Sequence, residues 1–354
     1  MTLATLIAGL ISASISFVAG LLFCIWVMRL GVDDAPDGVR KTQSFAVPRL
    51  GGVAILLGAL VGSAVLSLLV QPPMRSFISE TLASPLNDGR ELSLALAFTL
   101  IAFCVGLWDD IRGLGTPLKL CILASVGGVA ASLGLIPEAL SSPFGQITTL
   151  PILVLGSAAW LLVFTNATNF MDGANGLAIG SVAIMLIGLA ATGWIVGDWD
   201  SAMPWFPLFG AISAFLVHNL RGKLYAGDAG ALGLGGLFAS FALISGLNVW
   251  TVATLALPFL VDVLLTLVWR AKHGRNWLQA HLDHAYQRLI ASGWSHGETA
   301  FLYWGLSTTA ATLALIAALA GGAAPFIVFW TLTLAGSMIW IRHRRTPHEG
   351  DLSG

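Results

Sequence analysis

The chain has 354 residues, 56% of them hydrophobic and only 10% charged, with a formal net charge of −1 and a mean hydropathy of +0.85. A soluble domain carries about 25% charged residues, so this composition excludes an ordinary water-soluble protein, and no nucleic-acid partner is expected. The three cysteines, Cys24, Cys104 and Cys121, fall inside apolar runs without disulfide-framework or metal-ligand spacing, and read as small hydrophobes.

In chain order the apolar runs are Leu3 to Met28, Leu50 to Val70, Leu92 to Leu107, Leu118 to Leu135, Pro151 to Thr165, Leu177 to Val196, Trp205 to Asn219, Ala229 to Ser245, Val249 to Trp269, Glu298 to Leu319 and Pro325 to Ile341. A helix needs roughly 20 apolar residues to cross a bilayer; the shorter runs suit helices that tilt or end inside a cavity. The expectation is an all-α integral membrane protein of about eleven transmembrane helices, one polytopic domain over 1–341, and a short basic-then-polar tail over 342–354.

No basic residue precedes the first run, and Arg29, Arg40 and Lys41 follow it, so it reads as an uncleaved span with its N-terminus periplasmic. Of the 17 Lys and Arg residues, all but Arg75 and Arg90 then fall on one side. That asymmetry marks the cytoplasmic face, where the C-terminus also lies. Gly58 and Gly62, four apart in the second run, permit close helix contact within or between protomers.

Five loops on the basic side carry the polar chemistry. The first has Arg40-Lys41 and then Pro48-Arg49-Leu50-Gly51-Gly52, cations beside a glycine-rich helix entry that suits an anion. The second has Asp109-Asp110 with Arg112 and Lys119 near them; hard oxygens beside a phosphate suit Mg²⁺, and a helix-end pair neutralised by the two cations is the plainer alternative. The third, Asn166 to Leu177, is polar and glycine-broken between two apolar runs. Lipid offers no partner for its amides or its carboxylate, so it must line a protein-walled cavity or a membrane surface.

The fourth loop is His218-Asn219 through Tyr225-Ala226-Gly227-Asp228-Ala229-Gly230, a carboxylate at a helix entry with an aromatic upstream. The fifth, 270–297, is the most basic; His281, His284 and Arg288 have helical spacing and could face a diphosphate, or else form an amphipathic helix on anionic lipid. Asp262, inside the ninth run, reads as a structural or protonated group.

Taken together, these five ordered motifs resemble the polyprenyl-phosphate N-acetylhexosamine-1-phosphate transferases, glycosyltransferase family 4. The form of the fifth loop is similar to the O-antigen-initiating branch, which is related to the phospho-N-acetylmuramoyl-pentapeptide transferases. The resemblance implies Mg²⁺-dependent transfer (Mn²⁺ as a substitute) of a sugar-1-phosphate from a UDP-N-acetylhexosamine to undecaprenyl phosphate, with UMP released, at the start of O-antigen or other surface polysaccharide synthesis. It implies Asp228 as metal ligand, with Asp109 and Asp110 as further metal ligands or as groups that activate the lipid phosphate. It implies a nucleotide-sugar pocket of Asn169, Asp172 and Asn175, Tyr225 stacked on uracil, and Lys41 and Lys119 on phosphate or uridine. His281, His284 and Arg288 would bind diphosphate or sugar, and Asn166 and Asn219 are counted as substrate-binding too. A homodimer is also expected. Gln43, Asn175 and Ala231 depart from the residues common in the family. The rival reading is a transporter or lipid flippase, which should show midplane polar residues and repeated halves; the acids instead cluster on one side and no internal repeat is visible.

Overall fold

Each of the eleven apolar runs lies on one helix of the computed structural model, which describes residues 3–34, 46–70, 89–142, 145–196, 205–276 and 281–345. The helices are α1 (Leu3–Val27), α2 (Gly51–Leu69), α3 (Arg90–Arg112), α4 (Thr116–Ser132), α5 (Leu150–Phe170), α6 (Leu177–Val196), α7 (Trp205–Asn219), α8 (Gly227–Leu243), α9 (Val249–Lys272), α10 (Ala285–Ala291), α11 (His296–Ala320) and α12 (Ala324–Arg345). Among the described residues, eight of these are long and apolar enough to cross a membrane, and α4 and α8 are shorter apolar helices. The chain is a multi-pass, all-α membrane protein. Lys41, Arg40, Gln43 and the end of the tail from residue 346 lie outside the described residues.

Two features differ from the sequence reading. Asp109 and Asp110, expected in a loop, belong to the last turn of α3, and Asn166 and Asn169 to the last two turns of α5. Nothing in those stretches breaks a helix: α3 runs on to Gly113, whose φ of 71° only glycine tolerates readily. Two short antiparallel hairpins also appear, β1 (Asp33–Asp34) with β2 (Val47–Pro48), and β3 (Leu140–Ser142) with β4 (Gly145–Ile147). Two- and three-residue strands carry no readable alternation. The second hairpin is anchored where the Trp250 indole donates to Ser141 O at 2.8 Å.

The bundle is built around α8, which packs against α2, α3, α5 and α6. It can sit there because its inward face is mostly Gly and Ala, so neighbouring backbones approach closely. A Cβ on Gly52 would overlap the backbone of Gly230, and one on Gly106 would overlap the carbonyl of Asp228. Near that contact the Phe164 ring packs against Phe238, tilted at 4.6 Å, and Phe259, stacked at 6.4 Å, and the Trp160 indole donates to Ala239 O at 2.9 Å. Gly58 and Gly62 face α1 and α7 within the same chain, where the Ser16 hydroxyl donates to Gly58 O at 2.8 Å and Pro207 O at 2.6 Å. The close contact they permit is therefore an internal one. Outermost, α12 exposes Ile327, Trp330, Leu334, Met338 and Ile339, as a lipid-facing helix does.

Candidate active site

The polar ends of α3, α4, α5 and α8 meet at one end of the bundle. After α3, the positive-φ Gly113 turns the chain back and the Leu114 N–H closes onto Asp109 Oδ1. Pro117, tolerated in a first turn, then starts α4 and brings Lys119 round to face α3. The buried Lys119 ammonium lies 3.0 Å from Asp109 Oδ2 and also donates to Asp228 Oδ2. From the end of α5, Asn169 Nδ2 donates to the same Asp228 oxygen at 3.4 Å. Four elements distant in sequence thus share one cluster.

Asp110 has a different task. Its Oδ1 accepts from the Asp228 N–H and its Oδ2 from the Ala229 N–H, both at 3.0 Å, so the carboxylate caps α8 from outside. Arg49 donates to the Asp110 carbonyl, and the first loop is laced to the fourth: Tyr225 N to Pro48 O at 2.8 Å, Gly51 N to Tyr225 O at 2.9 Å, Gly52 N to Ala226 O at 2.8 Å. Gly227 joins these parts with φ 70°, and any Cβ there would overlap Arg49 O and crowd Asp110 Oδ2 at 2.5 Å. Tyr225 itself is half-buried beside this lacing.

The turn after α5 supplies Asp172. Burial and the nearby carboxylates of Asp228 and Asp110 push its carboxyl well above the usual carboxylate range. The turn is braced from three sides. Asn219 Oδ1 accepts from Gly176 N at 2.6 Å while its Nδ2 donates to Leu224 O at 2.8 Å, the Trp304 indole donates to Gly176 O at 2.9 Å, and His296 Nδ1 accepts from Asn175 N at 3.3 Å. Asn166, a helical turn deeper, is buried and donates to Leu162 O at 2.7 Å.

The fifth loop docks on this turn. The Tyr286 hydroxyl donates to Phe170 O at 2.9 Å, and the buried His284 ring stacks on Phe170 at 5.9 Å. Asp283 is ringed by Arg270, by Arg344 at 3.3 Å and by Arg275 at 3.4 Å. Burial would raise the Asp283 carboxyl, but Arg270 and then Arg344 outweigh that and hold it low. His281 sits beside them, its pKa lowered to about 4 by burial and then by His284 and Arg270, so it is neutral near pH 7. Arg288 is buried, its guanidinium 3.5 Å from Arg344 O.

The sequence-predicted residues are therefore brought together in two joined groups: Asp109, Asp110, Lys119, Asn169, Asp172 and Asp228, and next to them His281, His284 and Arg288. Asn166, Asn175, Asn219 and Tyr225 line or brace the junction. Arg49, Tyr286, His296 and Trp304 were not singled out as site residues. Arg49 and Tyr286 lie inside the quoted motifs, whereas no signal in the sequence links His296 or Trp304 to a turn some 120 positions earlier.

The donor chemistry is that of a hard cation: carboxylates of Asp109 and Asp228 and the Asn169 carboxamide. Four carboxylates gather at this end, and burial first, then the charges of Asp228 and Asp110, raise the Asp172 carboxyl. As the side chains lie, no three of the described His, Cys, Asp and Glu groups stand close enough to share a metal. The Lys119 ammonium holds the place between Asp109 and Asp228.

Residues 92–246 match the model of glycosyl transferase family 4. The chain is 32% identical over 238 residues to the phospho-N-acetylmuramoyl-pentapeptide-transferase of Synechococcus sp. strain JA-3-3Ab, covering 60% of this chain and 68% of that protein. It is 29% identical over 347 residues to the same enzyme of strain RCC307, covering 89% and 88%. It is 28% identical over 323 residues to the decaprenyl-phosphate N-acetylglucosaminephosphotransferase of Mycobacterium tuberculosis H37Rv, covering 82% and 76%.

Proposed function

Since this chain belongs to glycosyl transferase family 4, we propose that it moves an N-acetylhexosamine-1-phosphate from a UDP-sugar to undecaprenyl phosphate in the bacterial inner membrane and releases UMP. The single observation that carries this reading is the junction of Asp109, Lys119, Asn169 and Asp228 at one end of a membrane-spanning bundle. At that place a long isoprenoid would approach from the bilayer and a water-soluble nucleotide from the aqueous face. The phosphosugar transferases it resembles, one of them named for a decaprenyl-phosphate acceptor, support the same class.

Phosphoryl transfer asks a protein for alignment and charge neutralisation more than for covalent chemistry. Asp228 and Asp109, with the Asn169 carboxamide, would hold Mg²⁺, which when bound neutralises phosphate oxygens and lines up donor and acceptor. With the metal held there, Lys119, which bridges the two carboxylates in this structure, would turn its ammonium to a phosphate. Asp110 would keep α8, and with it Asp228, in place by taking the Asp228 and Ala229 N–H groups. Asp172, Asn175 and Tyr225 form the nucleotide-sugar side, and His281, His284 and Arg288 close over it. A cytoplasmic active site, a homodimer and a role in starting O-antigen or another surface polysaccharide belong to the same proposal.

The test is UMP release by the purified protein with undecaprenyl phosphate, Mg²⁺ and a panel of UDP-N-acetylhexosamines. One donor of the panel should support turnover, and Asp228→Ala should lower kcat by at least about 10³-fold while the protein stays folded. No UMP from any donor would defeat the reading.

A further inference from the structure

Asp262 lies in the membrane-spanning α9, only 2% exposed, and the mechanism above gives it no task. An intramembrane carboxylate is costly unless its oxygens are fully engaged, and here they are. Oδ1 accepts from the Ala285 N–H at 2.7 Å and from the Thr266 hydroxyl at 3.3 Å. Oδ2 accepts from the Tyr286 N–H at 3.2 Å and from the Tyr303 hydroxyl at 2.6 Å. His284 Nδ1 stands 3.5 Å from Oδ1. All the partners outside α9 belong to the fifth loop, except Tyr303 of α11.

The device repeats the one at α8. There Asp110 takes two successive backbone N–H groups of the segment that carries Asp228; here Asp262 takes two successive N–H groups of the segment that carries Tyr286. Tyr286 in turn reaches back to Phe170 O, two residues before Asp172, and its ring fills the space over Gly173. If stability alone were at stake, well-packed apolar side chains would serve as well or better than a buried carboxylate. What a charged, doubly engaged acceptor adds is one fixed placement of the loop.

We propose that Asp262 is a positioning residue for nucleotide-sugar binding: it fixes the fifth loop to α9 and α11 and, through the Tyr286 hydroxyl, sets the turn that carries Asp172. The assignment rests on the transferase reading above. Asp262→Asn keeps the shape but offers one acceptor oxygen to two backbone donors, and Tyr303→Phe removes a single hydrogen bond to the same oxygen.

Two measurements on the full-length protein in membranes test it. The first is the rate of tryptic cleavage after the exposed Lys272 and Arg275, read by mass spectrometry; a loosened loop should be cut several-fold faster in Asp262→Asn and detectably faster in Tyr303→Phe. The second is steady-state kinetics: KM for the UDP-sugar should rise about ten-fold in Asp262→Asn, with KM for undecaprenyl phosphate and kcat within about three-fold. Unchanged cleavage in both variants, or a fall in kcat with the donor KM unmoved, overturns the assignment. If Asp262→Asn fails to insert, Tyr303→Phe decides by the same criteria. A wild-type protein that transfers nothing defeats the transferase reading instead, while the cleavage comparison still decides the loop's anchor.

Discussion

Gly227 is the residue on which the site's geometry depends most. Its φ of 70° is one that side chains with a Cβ rarely adopt, and a Cβ would meet both Arg49 O and the Asp110 carboxylate. Gly227→Ala should cost on the order of 2 kcal/mol, seen as a lower Tm in detergent, and should lower turnover because Asp228 is displaced with it. His281 gives a pH dependence. Its folded pKa of about 4 lies below the ordinary value near 6.5, so between those values the unfolded chain binds the extra proton. This contribution is complete above pH 6.5 and is lost as pH falls towards 4. His281→Gln should therefore show a shallower fall in Tm between pH 6.5 and 4.5 than wild type; equal slopes would mean the ring is not buried as described.

At the scale of elements, α3, α8 and the fifth loop hold the cleft together, and they differ in how far the sequence announces them. The eleven apolar runs map onto helices because hydrophobic length is a long-range signal that one amide or carboxylate does not erase. The ends of α3 and α5 are harder to place between helix and loop, because Asp109, Asp110, Asn166 and Asn169 look out of place in an apolar helix until their partners are known. Lys119, Asp228, Leu162 O and two backbone N–H groups satisfy these side chains, and only the fold supplies most of them. Asp262 was legible as an intramembrane acid, but its partners at 285, 286 and 303 were not, since nothing in spacing links them. The contact of α3 with α8 can be tested directly. Gly106→Leu forces a side chain into the Asp228 backbone, so it should separate the helices and abolish activity, whereas Gly128→Leu on α4, where a Cβ meets nothing within 4 Å, should leave activity within about two-fold.

For the molecule as a whole, the small-residue α8 draws its neighbours close, and that closeness gathers carboxylates, a lysine and asparagines at one end of a hydrophobic bundle. On the proposed function this site takes a lipid phosphate and a nucleotide sugar, and what crosses between them is a sugar with its phosphate. The most direct test uses the accepted UDP-N-acetylhexosamine labelled with ³²P in its β-phosphate, together with undecaprenyl phosphate and Mg²⁺. The account predicts that the label moves to the lipid while unlabelled UMP is released in equal amount. Label retained in UDP, with sugar alone reaching the lipid, would contradict it.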